Sequence, residues 1–145
     1  MYNFTLKFHS GIAYLVLLGL VLIVLYAIIG LLSGKKFGRI EKITSTVTMS
    51  LLHLQAIAGI VLFFVSPNIK GSLAHIGEAM GNAAERYFLL EHPLMMLLAI
   101  AVFTIGRKKF LKAETDKSTY TKMLIFGSLT LLIVASRVPW DRLFA

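Results

Sequence analysis

Four long apolar runs separated by short polar breaks dominate the chain. The first carries no charge from Gly11 to Leu32, the second ends at Val65, and the third and fourth close at Arg107 and at Pro139. A bilayer core needs about 20 helical residues, a length these runs approach or exceed. The pattern predicts an all-α membrane protein: one domain, residues 1–145, with spans at about 10–32, 43–65, 87–106 and 121–138 packed as a four-transmembrane-helix bundle. The first run is too long for the apolar core of a signal peptide, lacks an A-x-A cleavage site, and has its strongest positive cluster behind it. It is therefore expected to be a retained span.

The breaks carry turn chemistry. Ser33-Gly34-Lys35-Lys36-Phe37-Gly38-Arg39 follows the first span, and Ser66-Pro67-Asn68 stops the second. Trp140 beside Pro139 marks an interface after the fourth. Residues 69–90 form the longest stretch outside a span. Ile69, Leu73, Ile76 and Met80 recur there at helical spacing among Gly71, Gly77 and Gly81, which predicts a short amphipathic segment lying on the membrane surface. Met1 to His9 reads as an amphipathic lead at the interface. Thr44, Ser45, Thr46, Thr48 and Ser50 make the second span unusually rich in hydroxyls, which in lipid bond to their own helix or to a neighbour.

Composition agrees: 57% of residues are hydrophobic and mean hydropathy is +0.80. A net charge of +8 raises the question of nucleic acid. The placement of the charges answers it. Lys35, Lys36, Arg39 and Lys42 occupy the first loop, and Arg107, Lys108, Lys109, Lys112, Lys117 and Lys122 the third. The positive-inside rule then puts both loops in the cytoplasm, with both termini and the 69–90 segment outside. The lipid bilayer is the expected partner and nucleic acid is not. The chain has no cysteine, which excludes disulfides, thiolate metal sites, cysteine-held iron–sulfur clusters and covalently attached c-type haem.

Helical rise converts position into depth. Measured from the cytoplasmic edge, His53 lies roughly 15 Å up, His92 roughly 21 Å, Arg137 roughly 24 Å and His9 roughly 34 Å. Ionisable groups at such depth are functional-site candidates. Glu91 and Arg137 are obvious mutual partners, either as an ion pair locking the third span to the fourth or with Arg137 turned to a cofactor carboxylate such as a haem propionate. His53 and His92, on antiparallel helices, are the expected metal and haem b ligands, with His9 and His92 as the alternative pair nearer the surface. Thr46, Ser50 and His53 share one helix face, while Gln55 and Gly59 fall on the neighbouring stripe. Met95 and Met96 are expected to pack in the core, and His75 to be a packing residue. Pro93 requires the third span either to begin near His92 or to kink around Leu89.

His9-Ser10-Gly11-x-Ala13-Tyr14, His53-x-Gln55-x-x-x-Gly59, Arg86-Tyr87-Phe88-x-x-Glu91-His92-Pro93 and Ser136-Arg137-x-Pro139-Trp140 together resemble the small four-helix inner-membrane proteins of Bacteroidota, often labelled "cytochrome B". The resemblance spans nearly the whole chain and implies that His9, His53, Glu91, His92 and Arg137 belong to the family's pattern. Three readings follow. The first is a b-type haem protein in electron transfer or haem handling near the periplasmic face, with a redox partner. The second is a non-redox accessory subunit whose Glu91, Arg137 and His cluster locks helices. The third is a metal or copper permease or chaperone, which the lack of any His-rich or Met-rich tract disfavours. Oligomerisation is open in each.

Overall fold

The computed structural model describes residues 1–143; Phe144 and Ala145, the end of the expected single domain, lie outside the described residues. Every regular element among them is helical, and four helical stretches are long and apolar enough to cross a membrane. Helix α1 spans Tyr2–Ser33 and α2 spans Arg39–Val65. Three short helices follow: α3 (Pro67–Ala74), α4 (Ile76–Gly81) and α5 (Ala83–Arg86). A π-helical turn over Tyr87–Glu91 leads into α6 (His92–Leu111), and α7 (Asp116–Ser136) and α8 (Trp140–Leu143) complete the chain.

Three helix starts differ from the sequence expectation, each for a local reason. The segment before Ser10 is not a separate lead. Nothing in it breaks a helix, so α1 runs through it for 32 residues, about 48 Å of rise. Helix α2 starts at Arg39 because Glu41 reaches back to accept from the Gly38 N–H at 3.0 Å, and an acid in the first turn suits the helix dipole. Helix α7 starts at Asp116 because the Thr115 hydroxyl accepts from the Ser118 N–H at 3.2 Å. By contrast α2 ends where expected: Ser66 adopts φ −70°, ψ 123° ahead of Pro67, since a residue before proline is pushed out of the helical region.

Pro93 is accommodated without a break. Proline lacks an N–H and crowds the preceding turn. Here the His92 N–H reaches back to the Tyr87 carbonyl, five residues away, and the turn widens. The helical path therefore continues from Ala83 to Leu111, with a π turn where the sequence left a start or a kink as alternatives.

The spans pack with α1 between α2 and α7, and α7 between α1 and α6; α2 and α6 touch less closely. The core contains Leu20, Ile23, Ala27, Phe103, Phe110, Tyr120 and Met123. Outward faces stay apolar too, as at Leu18, Leu132 and Ile57, the arrangement of helices that present one side to neighbours and the other to hydrocarbon. The short helices fold over a satellite core of Ile69, Ala79 and Leu89, and His75 there pairs with Glu85 at 3.2 Å.

At the end carrying the two basic loops, Glu41 is only 2% exposed and receives Lys35 Nζ at 2.8 Å and the Tyr120 hydroxyl at 3.2 Å. The Phe37 N–H donates to Asp116 at 2.9 Å, so the first loop is tied to α7. Close helix approach depends on Gly106, where an added Cβ would lie 2.2 Å from Phe126 Cβ. Gly106→Ala is expected to destabilise the protein by about 1–3 kcal/mol in thermal unfolding in detergent. Gly77→Ala, with open space around it, should leave the midpoint unchanged.

Candidate functional site at the histidine end of the bundle

At the opposite end, four elements bring their polar side chains together. The His9 and His92 rings, from α1 and α6, lie with centroids 6.4 Å apart and planes at 75°. This was the alternative pairing from sequence. His53, of the first pairing, is not brought to His92: it lies exposed on α2 with its Nδ1 bonded to the Met49 carbonyl of its own helix at 2.8 Å. The reason is angular. Ser45, Thr48 and Leu52 form the buried stripe of α2, and Gln55 and Gly59 continue it at spacings of three and four. His53 is one residue, about 100°, past Leu52.

Each histidine is held from a different side. Gln55 Nε2 lies 3.3 Å from His9 Nε2, and an added Cβ at Gly59 would lie 3.1 Å from His9 Cε1, so the ring rests on bare helix backbone. His92 Nδ1 lies 2.7 Å from the Arg137 carbonyl, which also accepts from the Tyr87 hydroxyl at 2.7 Å. That carbonyl is available because α7 ends at Ser136, and the last carbonyls of a helix have no partner within it. An oxygen of this kind only accepts, so His92 Nδ1 carries the hydrogen and Nε2 is the bare nitrogen.

Glu91 joins two guanidiniums. Its Oε1 accepts from Arg86 Nε at 3.0 Å and its Oε2 pairs with Arg137 NH1 at 3.3 Å, while Arg86 NH1 also donates to the Met80 carbonyl at 2.9 Å. The Glu91–Arg137 pair matches the expectation from depth; Arg86 is an addition. Three polar atoms here are buried without a hydrogen-bond partner: His9 Nδ1, Gln55 Oε1 and Arg137 Nε. Buried polar atoms are nearly always partnered, so three together set this end apart from the rest of the bundle.

Four of the five candidate residues, His9, Glu91, His92 and Arg137, thus meet at one end, and His53 does not join them. Gln55, Gly59, Tyr87 and Arg86 complete the cluster. Gln55 and Gly59 were legible as a stripe but not as the inward one. Tyr87 precedes His92 by five residues, about 140° away on a regular α-helix; only the π turn brings the two rings to 6.0 Å. Met96 packs against the core, and no group of three or more His, Asp or Glu among the described residues is placed to hold a metal ion by itself.

Comparison with models of known families, with curated proteins and with solved structures gives no match.

The shared carbonyl makes a stability prediction. Tyr87→Phe or His92→Ala alone leaves the Arg137 carbonyl one partner, whereas the double variant leaves it bare. The double variant should lose roughly 1–2 kcal/mol more than the sum of the single losses, measured as a double-mutant cycle on unfolding in detergent.

Proposed function

We propose that this chain is a four-span protein of the bacterial inner membrane that binds b-type haem non-covalently between His9 and His92, near the periplasmic face, and serves electron transfer or haem handling. The observation that carries the proposal is the spacing of the two rings. His9 on α1 and His92 on α6 would hold the group between them, their ring centres being 6.4 Å apart.

The donor set favours haem over a bare ion. Zinc takes at least three protein ligands, and calcium and magnesium take oxygens. Two imidazoles would suffice for a haem iron, whose macrocycle would supply its remaining ligands. The buried, unpartnered His9 Nδ1 would be available to the same group. When bound, haem supplies a one-electron iron couple. The chain's own residues do the positioning. The Arg137 carbonyl fixes the His92 tautomer, as outer-shell acceptors of ligand histidines do. Arg137 uses NH1 on Glu91 and keeps its buried Nε free for a propionate oxygen. Glu91 restrains both guanidiniums. The basic loops assign the other end to the cytoplasm by the positive-inside rule, which puts this site and helices α3 to α5 on the periplasmic side.

A second reading has its own support. Glu91 between Arg86 and Arg137, with Tyr87 and His92 on one carbonyl, also forms a network that ties α6 to α7, as an accessory subunit of a larger membrane complex would use.

Absorption spectra of the purified protein separate the two. Haem binding gives a Soret band and a b-type reduced-minus-oxidised difference spectrum that His9→Ala and His92→Ala abolish and His53→Ala leaves intact. A colourless protein that copurifies stoichiometrically with other membrane subunits overturns the haem reading.

A further inference from the structure

We propose that the lipid-facing seam of α2, centred on Ser50 and His53, is a self-association surface that pairs with α2 of a second copy of this chain. The proposal is independent of the haem reading. Helix α2 carries two stripes. One, through Ser45, Thr48 and Leu52, is buried against the bundle. The other runs Ile43, Thr46, Ser50, His53, Ile57 and Ile60 at alternating spacings of three and four, and every position in it is exposed. That spacing is the seam of two helices packed side by side, here with only one side present.

The middle of the seam is polar. His53 lies roughly 15 Å along α2 from the cytoplasmic edge, near the centre of a hydrocarbon core of about 30 Å. Its Nδ1 is bonded to the Met49 carbonyl at 2.8 Å. An oxygen acceptor there puts the hydrogen on Nδ1 and leaves Nε2 of the neutral ring as an unused acceptor. The Ser50 side chain, one turn earlier on the same face, makes no hydrogen bond among the described residues, so its hydroxyl is an unused donor. Thr46 is already committed, to the Lys42 carbonyl and to Arg107. Neither water nor a lipid headgroup serves groups at that depth, and polar side chains facing lipid there are stabilised by a neighbouring helix.

A second copy supplies what is missing. Two copies inserted the same way have parallel α2 helices with equal residues at equal depth. Side chains on a helix lean toward its N-terminus, so each His53 ring comes down toward the level of Ser50 on the other helix. The Ser50 hydroxyl of each copy then donates to His53 Nε2 of the other, and a two-fold axis makes both bonds at once. The apolar positions at either end, Ile43 and Ile57 with Ile60, close the seam.

The absence of native cysteine makes cross-linking direct. In membrane vesicles containing the full chain, oxidation of Ile57→Cys or Ile60→Cys should give disulfide-linked homodimers, and Leu132→Cys, equally lipid-facing on α7, should not. Energy transfer between labelled copies in liposomes should show Ser50→Ala and His53→Leu each raising the dimer dissociation constant on the order of tenfold, with helicity by circular dichroism unchanged. Absence of a homodimer band from both seam variants overturns the proposal, as do equal bands from Leu132→Cys or a band to a different protein. A dissociation constant unmoved by both Ser50→Ala and His53→Leu overturns it as well.

Discussion

The backbone carbonyl of Arg137 is the point on which the histidine end of the bundle depends. Helix α7 stops one residue earlier, and its terminal carbonyls need donors that a membrane does not offer as water would. Tyr87 and His92 meet that need from the neighbouring helix. They reach it together only because the π turn before Pro93 rotates Tyr87 onto the side of His92. One missing N–H in the sequence therefore sets the direction of two rings, the tautomer of one, and the docking of α6 on α7.

The two ends of the bundle solve the same polar problem differently. At the basic end, the buried Glu41 carboxylate is matched by Lys35, Tyr120 and the Gly38 N–H. That end is a closed fastening between the first loop, α2 and α7. At the histidine end, Glu91 is also matched, by Arg86 and Arg137, yet His9, Gln55 and Arg137 each retain an unpartnered buried atom beside it. Polar satisfaction is thus complete at the basic end and incomplete at the histidine end among the described residues.

Helix α2 links these features to the surrounding lipid. Its inward stripe delivers Gln55 and Gly59 to His9, and its outward seam holds His53 and Ser50. One turn of helix thus serves two separate surfaces. The hydroxyl richness of this span, evident from sequence as Thr44 to Ser50, divides accordingly: Ser45 and Thr48 face neighbouring helices, Thr46 receives Arg107, and Ser50 faces lipid.

What the sequence by itself determined was set by local, cumulative properties. Run length and apolarity identify four membrane-crossing helices, Ser66-Pro67 ends α2, and the lysines and arginines divide the two ends, because each depends on neighbours along the chain rather than across it. Depth was legible as well, since rise per residue is constant, and it put Glu91 near Arg137. Azimuth was not. A residue turns about 100° from its neighbour, so the choice between His53 and Gln55 as the inward group rested on which α2 stripe meets α1, and only packing decides that. The pairing of Tyr87 with His92 needed the π turn, and the burial of Glu41 needed Tyr120 from a helix 79 residues away in sequence. Tertiary structure decided which polar groups face one another, because that depends on rotation about helix axes, a quantity the apolar pattern of a lipid-facing helix leaves nearly free.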